Sequence, residues 1–374
     1  MKLSVEPKKV LIVNGYSASN RGDGLLVELA RDLAIDGSKD IPIEVSAAVM
    51  DPDSFNEIDG VEIIPTFRSH TKISLITGGF VALLTSGKVG FSKEYRNAMR
   101  QADLILSVGG AYHRGADLVE LIKSVLAHGS QARSVHASQK PWILLPQSIG
   151  PLPKPYYAFL KGIIRTATAV FARDDTTFAE LSPSRNLFRT PDSAILALGT
   201  EQRKQNTNGG SDVGLVIRDL PRPRKYVDSL HLLIDGNPFI WKPLVQSSFS
   251  GNDDRPFYSE FSLDPEESLH EVLEGQNLGL VVSVRLHGAL ESIMKGVPAI
   301  HLSYERKGFS AYQDLGLGEY VFDARDFDPD KIASKIQEVL NDPQPYWSRV
   351  ENSLSRIRDS RKEVIEKIHQ SLTS

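Results

Sequence analysis

Arg285 and His287 stand two residues apart where an apolar run gives way to a helical pattern, and Lys307 follows at the end of the next apolar run. A guanidinium can grip a phosphate or carboxylate in a two-pronged fork. An imidazole exchanges protons near neutral pH. Gly288 lets a ligand come close to the backbone, and Leu286 lies in the same turn. Arg285 alone reads as a structural ion pair and His287 alone as a core histidine. Both at one strand end, with Lys307 after the next, favour an anion site.

The flanking pattern places them. Residues 280–284 read as a strand, and Leu290, Ile293 and Met294 mark a helix closed by Gly296 and Pro298. Residues 298–302 read as the next strand and 304–308 as a loop. In open parallel sheets ligands bind outside the carboxyl ends of strands. A helix N-terminus there adds unpaired N–H groups and a positive dipole end.

Other strand ends repeat the theme. Residues 10–13 lead through a loop containing Asn20 and Asp23 into a helix with Leu25, Leu26, Leu29 and Leu33 on one face. Asp23 reads as a helix N-terminal carboxylate or as a hydroxyl ligand. The loop lacks a dinucleotide fingerprint. Residues 103–108 end in Gly109 and Gly110, a tight turn or a close ligand approach, followed by His113 and Arg114. Residues 142–146 lead to Gln147 in a loop over 147–151. Residues 169–172 lead to Arg173, whose ordinary role is an ion pair with Asp174 or Asp175. Residues 213–217 end at Arg218. Strands alternating with helices imply α/β architecture with parallel, doubly wound sheets.

At 374 residues the length suggests two domains. Polar residues 200–212 read as a linker between an N-terminal domain (1–199) and a C-terminal one (213–345), with a terminal helix over 346–374. Residues 252–261 read as a loop free to move over a cleft. Net charge of -4 gives no support for non-specific nucleic-acid binding, so no nucleic-acid partner is expected, and zero cysteines exclude disulfides and thiolate metal sites. No metal-ligand spacing is present. No targeting segment is visible in residues 1–9, so a cytoplasmic protein is expected. The apolar stretch 73–87 is too short to span a bilayer and reads as a buried helix, with peripheral contact at the inner membrane face as the alternative.

The motifs together resemble the polysaccharide pyruvyl transferases. Ser283–Gly288, Gly296-Val297-Pro298, Tyr304 and Lys307 resemble that family's C-terminal signature. Asn20-Arg21-Gly22-Asp23, Gly109-Gly110, Gln147–Pro151, Ala172-Arg173-Asp174 and Pro191-Asp192 resemble five further blocks in order. Ala111 stands where the family often carries a third glycine. The resemblance implies two α/β domains facing a cleft, as in two-domain (GT-B-like) glycosyltransferases. It implies phosphoenolpyruvate as co-substrate, no cofactor or metal, and a sugar acceptor, lipid-linked acceptors included. Arg285, Arg173, Lys307 and Arg218, with Leu286, His287 and Gly288, are the expected donor contacts. His287 and Arg285 are the expected catalytic pair. Asn20, Asp23, Gly109, Gly110, His113 and Gln147 are the expected acceptor contacts, and Asp192 a further candidate for orienting hydroxyls.

Two alternatives stand beside this reading. A nucleotide-sugar glycosyltransferase would use Arg285 and Lys307 on a diphosphate and Glu291 or Glu305 on ribose hydroxyls. A sugar-binding protein would keep the fold without catalysis.

Overall fold

The computed structural model describes residues 6–55, 58–69, 71–200, 210–221, 224–249, 252–275 and 278–374. Two compact units divide the chain. The first comprises Met1–Ala18, Asp23–Ser193 and Ser360–Ser374, and the second Ser19–Gly22 and Ala194–Asp359. Most of the expected linker, residues 201–209, lies outside the described residues.

The first unit carries strands β1 (Lys8–Ser17), β2 (Ile43–Asp51), β3 (Val61–Pro65), β4 (Leu104–Ser107), β5 (Gly110–His113), β6 (Trp142–Ile149), β7 (Ala169–Ala172) and β8 (Leu187–Arg189). They form a parallel sheet in the order β3-β2-β1-β4-β6-β7-β8, with β5 paired to β6. β1 sits mid-sheet, Val10 matching Val45 on one side and Leu104 on the other. Its apolar run is buried on both faces, as a central parallel strand requires. The register of β1 shifts between Ile12 and Gly15, and Asn14 there takes φ 69°. Asparagine tolerates this left-handed conformation better than a branched residue would.

The second unit carries β9 (Val213–Val216), β10 (Trp241–Val245), β11 (Glu267–Ser268), β12 (Leu280–Ser283), β13 (Ala299–Ser303) and β14 (Val321–Asp323). Their parallel order is β11-β10-β9-β12-β13-β14. The expected plan of two parallel α/β domains is therefore observed.

Three local expectations differ. Gln147 and Ser148 do not lie in a loop: β6 runs through them to Ile149. Residues 252–261 are not a free loop. Asp254 is buried, the helix Arg255–Tyr258 follows, and Tyr258 Oη donates to the Leu215 carbonyl at 2.8 Å and accepts from Ile217 N at 3.0 Å. Apolar stretch 73–87 forms the helix Lys72–Thr85, but that helix is not buried. Its fully buried residues are small (Gly79 and Ala82), which brings it close to Leu126 and leaves Ile73, Ile76, Phe80 and Leu84 exposed.

Candidate functional site

Two neighbouring strand ends in the second unit are built alike. Ser283 closes β12 and Ser303 closes β13. Ser283 Oγ donates to the Arg285 carbonyl at 2.8 Å and accepts from Arg285 N at 3.1 Å. Ser303 Oγ donates to the Glu305 carbonyl at 2.7 Å. Each serine is followed five residues later by a glycine, Gly288 or Gly308, lying against it. The helices Leu286–Met294 and Arg306–Asp314 begin in these turns, and neither has a side-chain cap. His287 and Lys307 are thus the second residue of two adjacent nine-residue helices. Their uncapped first turns direct N–H groups and positive dipole ends to the same sheet edge, which suits an anion.

Arg285 is held from below. Its Nε donates to Asp254 Oδ1 at 3.1 Å, and its Nη2 donates to the Asn252 carbonyl at 3.0 Å and to Asp254. The ordinary ion-pair role is therefore present, with Asp254 as the partner. Asp254 Oδ2 also accepts from the backbone N–H groups of Gln246 and Ser247. Burial raises the Asp254 carboxyl above its usual value despite the opposing Arg285 guanidinium. Nη1 of Arg285 bonds to no described residue. Gln246 lies past the end of β10, and neither atom of its buried amide has a partner among the described residues. A Cβ on Gly288 would stand 3.2 Å from Gln246 Oε1, so this amide lies beside the first turn of the His287 helix.

The segment Ser19–Gly22 belongs to this unit. Asn20 forms an antiparallel bridge with Ser247, and Arg21 N donates to the Gln246 carbonyl at 3.1 Å. Asn20, expected among acceptor contacts of an N-terminal domain, is thus placed in the second unit. A Cβ on Gly22 would lie 2.9 Å from His287 Nδ1. The Arg21 side chain reaches Glu291, four residues beyond His287 on the same helix, at 2.9 Å. His270 Nδ1 donates to the same carboxylate oxygen at 2.8 Å. Burial opposes charge on Glu291, but His270 and Arg21 outweigh it, and its carboxyl lies below the usual range.

His301 lies beneath the twin turns. Its Nδ1–H donates to the Ser283 carbonyl at 2.8 Å, leaving Nε2 as an acceptor. Burial chiefly, with the nearby Lys307 charge, lowers its pKa to about 4 against the opposing Ser283 hydrogen bond, so it is neutral at pH 7. Lys307 Nζ pairs with Glu305 at 2.7 Å. Arg218 lies over the Tyr304 ring at 5.8 Å from its centroid.

The first unit brings a second polar group together at its strand ends. Asn14 Nδ2 donates to Ser107 Oγ at 3.2 Å, and Asn14 Oδ1 accepts from His128 Nδ1 at 3.1 Å. Trp142 Nε1 donates to the same Ser107 Oγ at 3.0 Å. Gln147 Nε2 donates to the Val108 carbonyl at 3.2 Å and to Tyr112 Oη. The Tyr112 ring contacts those of His113 and His128, tilted against each, with centroids 4.7 and 4.5 Å away. His113 Nδ1 and Gln147 Oε1 are buried without a partner among the described residues. Burial lowers the His128 pKa to about 3 and pulls His113 well below its usual value.

Gly109 allows close packing on the Pro146 carbonyl, and Gly110 takes φ 130°. Asp23 lies in the first turn of the helix Arg21–Ser38. Arg173 does not pair with Asp174 or Asp175. It donates to Asp192, and its Nε donates to Ser148 Oγ at 2.9 Å. Asp174 caps the next helix through Thr177 N, and Asp175 pairs with Arg189. Asp192 therefore supports Arg173.

Sequence reasoning did not single out Gln246, Asp254, His270, His301, Asn14 or His128 for the sites. His301 carried a signal, since it is the one polar side chain inside the apolar run Pro298–Leu302. The others depend on contacts between distant segments.

These observations define a two-unit parallel α/β protein with two uncapped helix starts side by side at the strand ends of its second unit. A model of the family described as "Polysaccharide pyruvyl transferase" matches residues 20–306, and the chain belongs to that family of transferases. The amylovoran biosynthesis protein AmsJ of Erwinia amylovora is 29% identical over 79 residues. That match spans 21% of this chain and only 19% of the relative's length. Among solved structures, UDP-N-acetylglucosamine 2-epimerase from Rickettsia bellii shares the fold at 10% identity, covering 98% of each chain with a TM-score of 0.54. MurG from Acinetobacter baumannii aligns at 11% identity over 97% of this chain and 100% of that chain, with a TM-score of 0.45.

Proposed function

We propose that this transferase moves the pyruvyl group of phosphoenolpyruvate onto two hydroxyls of one sugar, forming a cyclic ketal on a polysaccharide or its precursor and releasing phosphate. The twin uncapped helix starts bearing His287 and Lys307 carry this reading. A donor with a phosphate and a carboxylate needs several positive groups converging on one edge, and these turns, with Arg285, supply them. The glycosyl-transfer alternative would place Glu291 on ribose hydroxyls, but its Oε1 already accepts from Arg21 and His270 and the side chain is 1% exposed.

The reaction balances without a redox partner. A proton adds to the donor's methylene carbon and makes the methyl group, while the neighbouring carbon becomes an oxocarbenium-like centre. One sugar hydroxyl attacks that carbon and loses its proton. The carbon–oxygen bond to phosphate then breaks, the second hydroxyl closes the ring, and its proton leaves with phosphate. His287 is the proton donor in this reading, and Lys307 and Arg285 hold the donor's anionic groups.

A thermal-shift titration tests the donor assignment. A ligand that binds only the folded chain raises its midpoint. Phosphoenolpyruvate is expected to raise the wild-type midpoint, to fail with Lys307→Ala, and to be unmatched by nucleotide sugars. A shift confined to a nucleotide sugar would overturn the proposal.

A further inference from the structure

The first unit exposes an apolar stripe that its own fold does not cover. Ile73, Ile76, Phe80 and Leu84 recur at spacings of three and four along the helix Lys72–Thr85, which places them on one face. Ile73 is 74% exposed and Leu84 66%. The helix Leu118–Lys123 adds Leu118, 70% exposed, and Ile122. The two stretches meet where Gly79 packs on the Leu126 carbonyl, one turn beyond Ile122. Scattered exposed leucines are ordinary, but a grouped set of this kind marks a contact surface.

The surrounding charge says what covers it. From Thr66 to Ser92 the chain carries Arg68, Lys72 and Lys88 and no acidic residue. Arg68 and Lys88 are exposed at the two ends of the helix, and Lys123 is exposed at the end of the second one. Among the acidic residues of the second helix start, Glu120 is paired with Arg114, and Asp117 caps the helix through Glu120 N. An apolar face rimmed by cations fits a bilayer interface with acidic headgroups. No helix among the described residues is long and apolar enough to cross a membrane, so the surface would lie on the bilayer.

We propose that the face formed by the helices Lys72–Thr85 and Leu118–Lys123 docks the enzyme peripherally on an anionic membrane surface. Co-flotation of the full chain with vesicles tests this. Wild type is expected to float with phosphatidylglycerol-containing vesicles, to bind pure phosphatidylcholine vesicles far less, and to release as salt is raised. Lys88→Glu is expected to weaken binding about fivefold or more. Phe80→Ser with Leu84→Ser is expected to weaken it more than tenfold. These side chains are exposed, so the thermal midpoint and phosphate release with a soluble acceptor should stay at wild-type levels. Wild type remaining in the soluble fraction with acidic vesicles would overturn the proposal. So would a concentration-dependent dimer that the double variant dissociates while vesicle binding is unchanged, because a second copy would then be the occupant.

Discussion

Arg21 Nε lies 2.9 Å from Glu291 Oε1, tying the segment Ser19–Gly22 to the helix that carries His287. Glu291 is 1% exposed, and Arg21 and His270, both at its Oε1, offset the cost of burying its charge. The same segment continues to Gly22, against the His287 ring. A motif near the start of the chain therefore fixes the position of a side chain more than 260 residues later.

Gly22→Ala tests that relationship. The added methyl would stand 2.9 Å from His287 Nδ1 and 3.0 Å from its Cβ, so the ring must give way. Turnover is expected to fall by about tenfold or more, because misplacing a reacting group by a fraction of an ångström is costly. The thermal midpoint should change little, since the ring is the part that moves. Turnover at the wild-type level would show that the His287 position is not set by Gly22.

Arg285→Ala strands Asp254 in the interior. Losing one partner of a buried pair costs about 3 kcal/mol or more, read as a lower denaturant midpoint. Arg285→Ala combined with Asp254→Ala should cost less than the sum of the two single changes. The pH dependence follows from the sign of the shift. Burial already raises the Asp254 carboxyl, and without the guanidinium it rises further. A carboxyl raised in the folded state disfavours folding at neutral pH and stops doing so once it is protonated. The deficit of Arg285→Ala relative to wild type should therefore shrink as pH falls from 7 toward 5.

Much of this site was legible in the sequence, and the reasons are local. The apolar run before Arg285, the helical spacing of Leu290, Ile293 and Met294, and the closing Gly296 and Pro298 all act within one strand–helix–strand unit. What was not legible depends on distant partners. Asp254 sits in a stretch whose polar and aromatic composition resembles a loop, and its burial depends on Arg285, thirty-one residues away, together with the backbone N–H groups of Gln246 and Ser247. Asn20 pairs with Ser247 across more than 220 residues, and no periodicity reports such a bridge. The helix Lys72–Thr85 has the composition of a core element, and its exposure follows from how closely Gly79 approaches Leu126.

Buried neutral histidines should make the chain acid-sensitive. His301 has its pKa lowered to about 4 and His128 to about 3, and His113 is also held well below the usual value. In the unfolded chain each takes a proton near pH 6.5. Their contribution to stability is therefore present above about pH 6.5 and is lost as pH falls toward the folded values, at up to about 1.4 kcal/mol per pH unit for each. Stability of wild type is expected to drop through pH 6 to 4, and His128→Asn should flatten that slope by roughly a third of the three-histidine effect. An unchanged slope in the variant would show that His128 is not neutral in the folded chain.

The twin turns predict a graded response to one added methyl. At Gly288 a Cβ would meet Ser283 Oγ at 3.0 Å and Gln246 Oε1 at 3.2 Å, contacts that a small shift relieves. At Gly308 it would collide with Ser303 Oγ and His301 Nε2 together. Ser303 is tied to the Glu305 carbonyl and His301 to the Ser283 carbonyl, so neither can retreat without breaking a buried hydrogen bond. Gly308→Ala should therefore cost about 3 kcal/mol and Gly288→Ala about 1 kcal/mol, measured as denaturant midpoints at constant slope. Gly288→Ala is expected to keep its fold yet lose phosphoenolpyruvate-induced stabilisation, because the methyl occupies space over the first turn where the donor's anion would approach the backbone. Equal losses of stability at both glycines would show that the two turns are supported alike and that His301 does not brace the second.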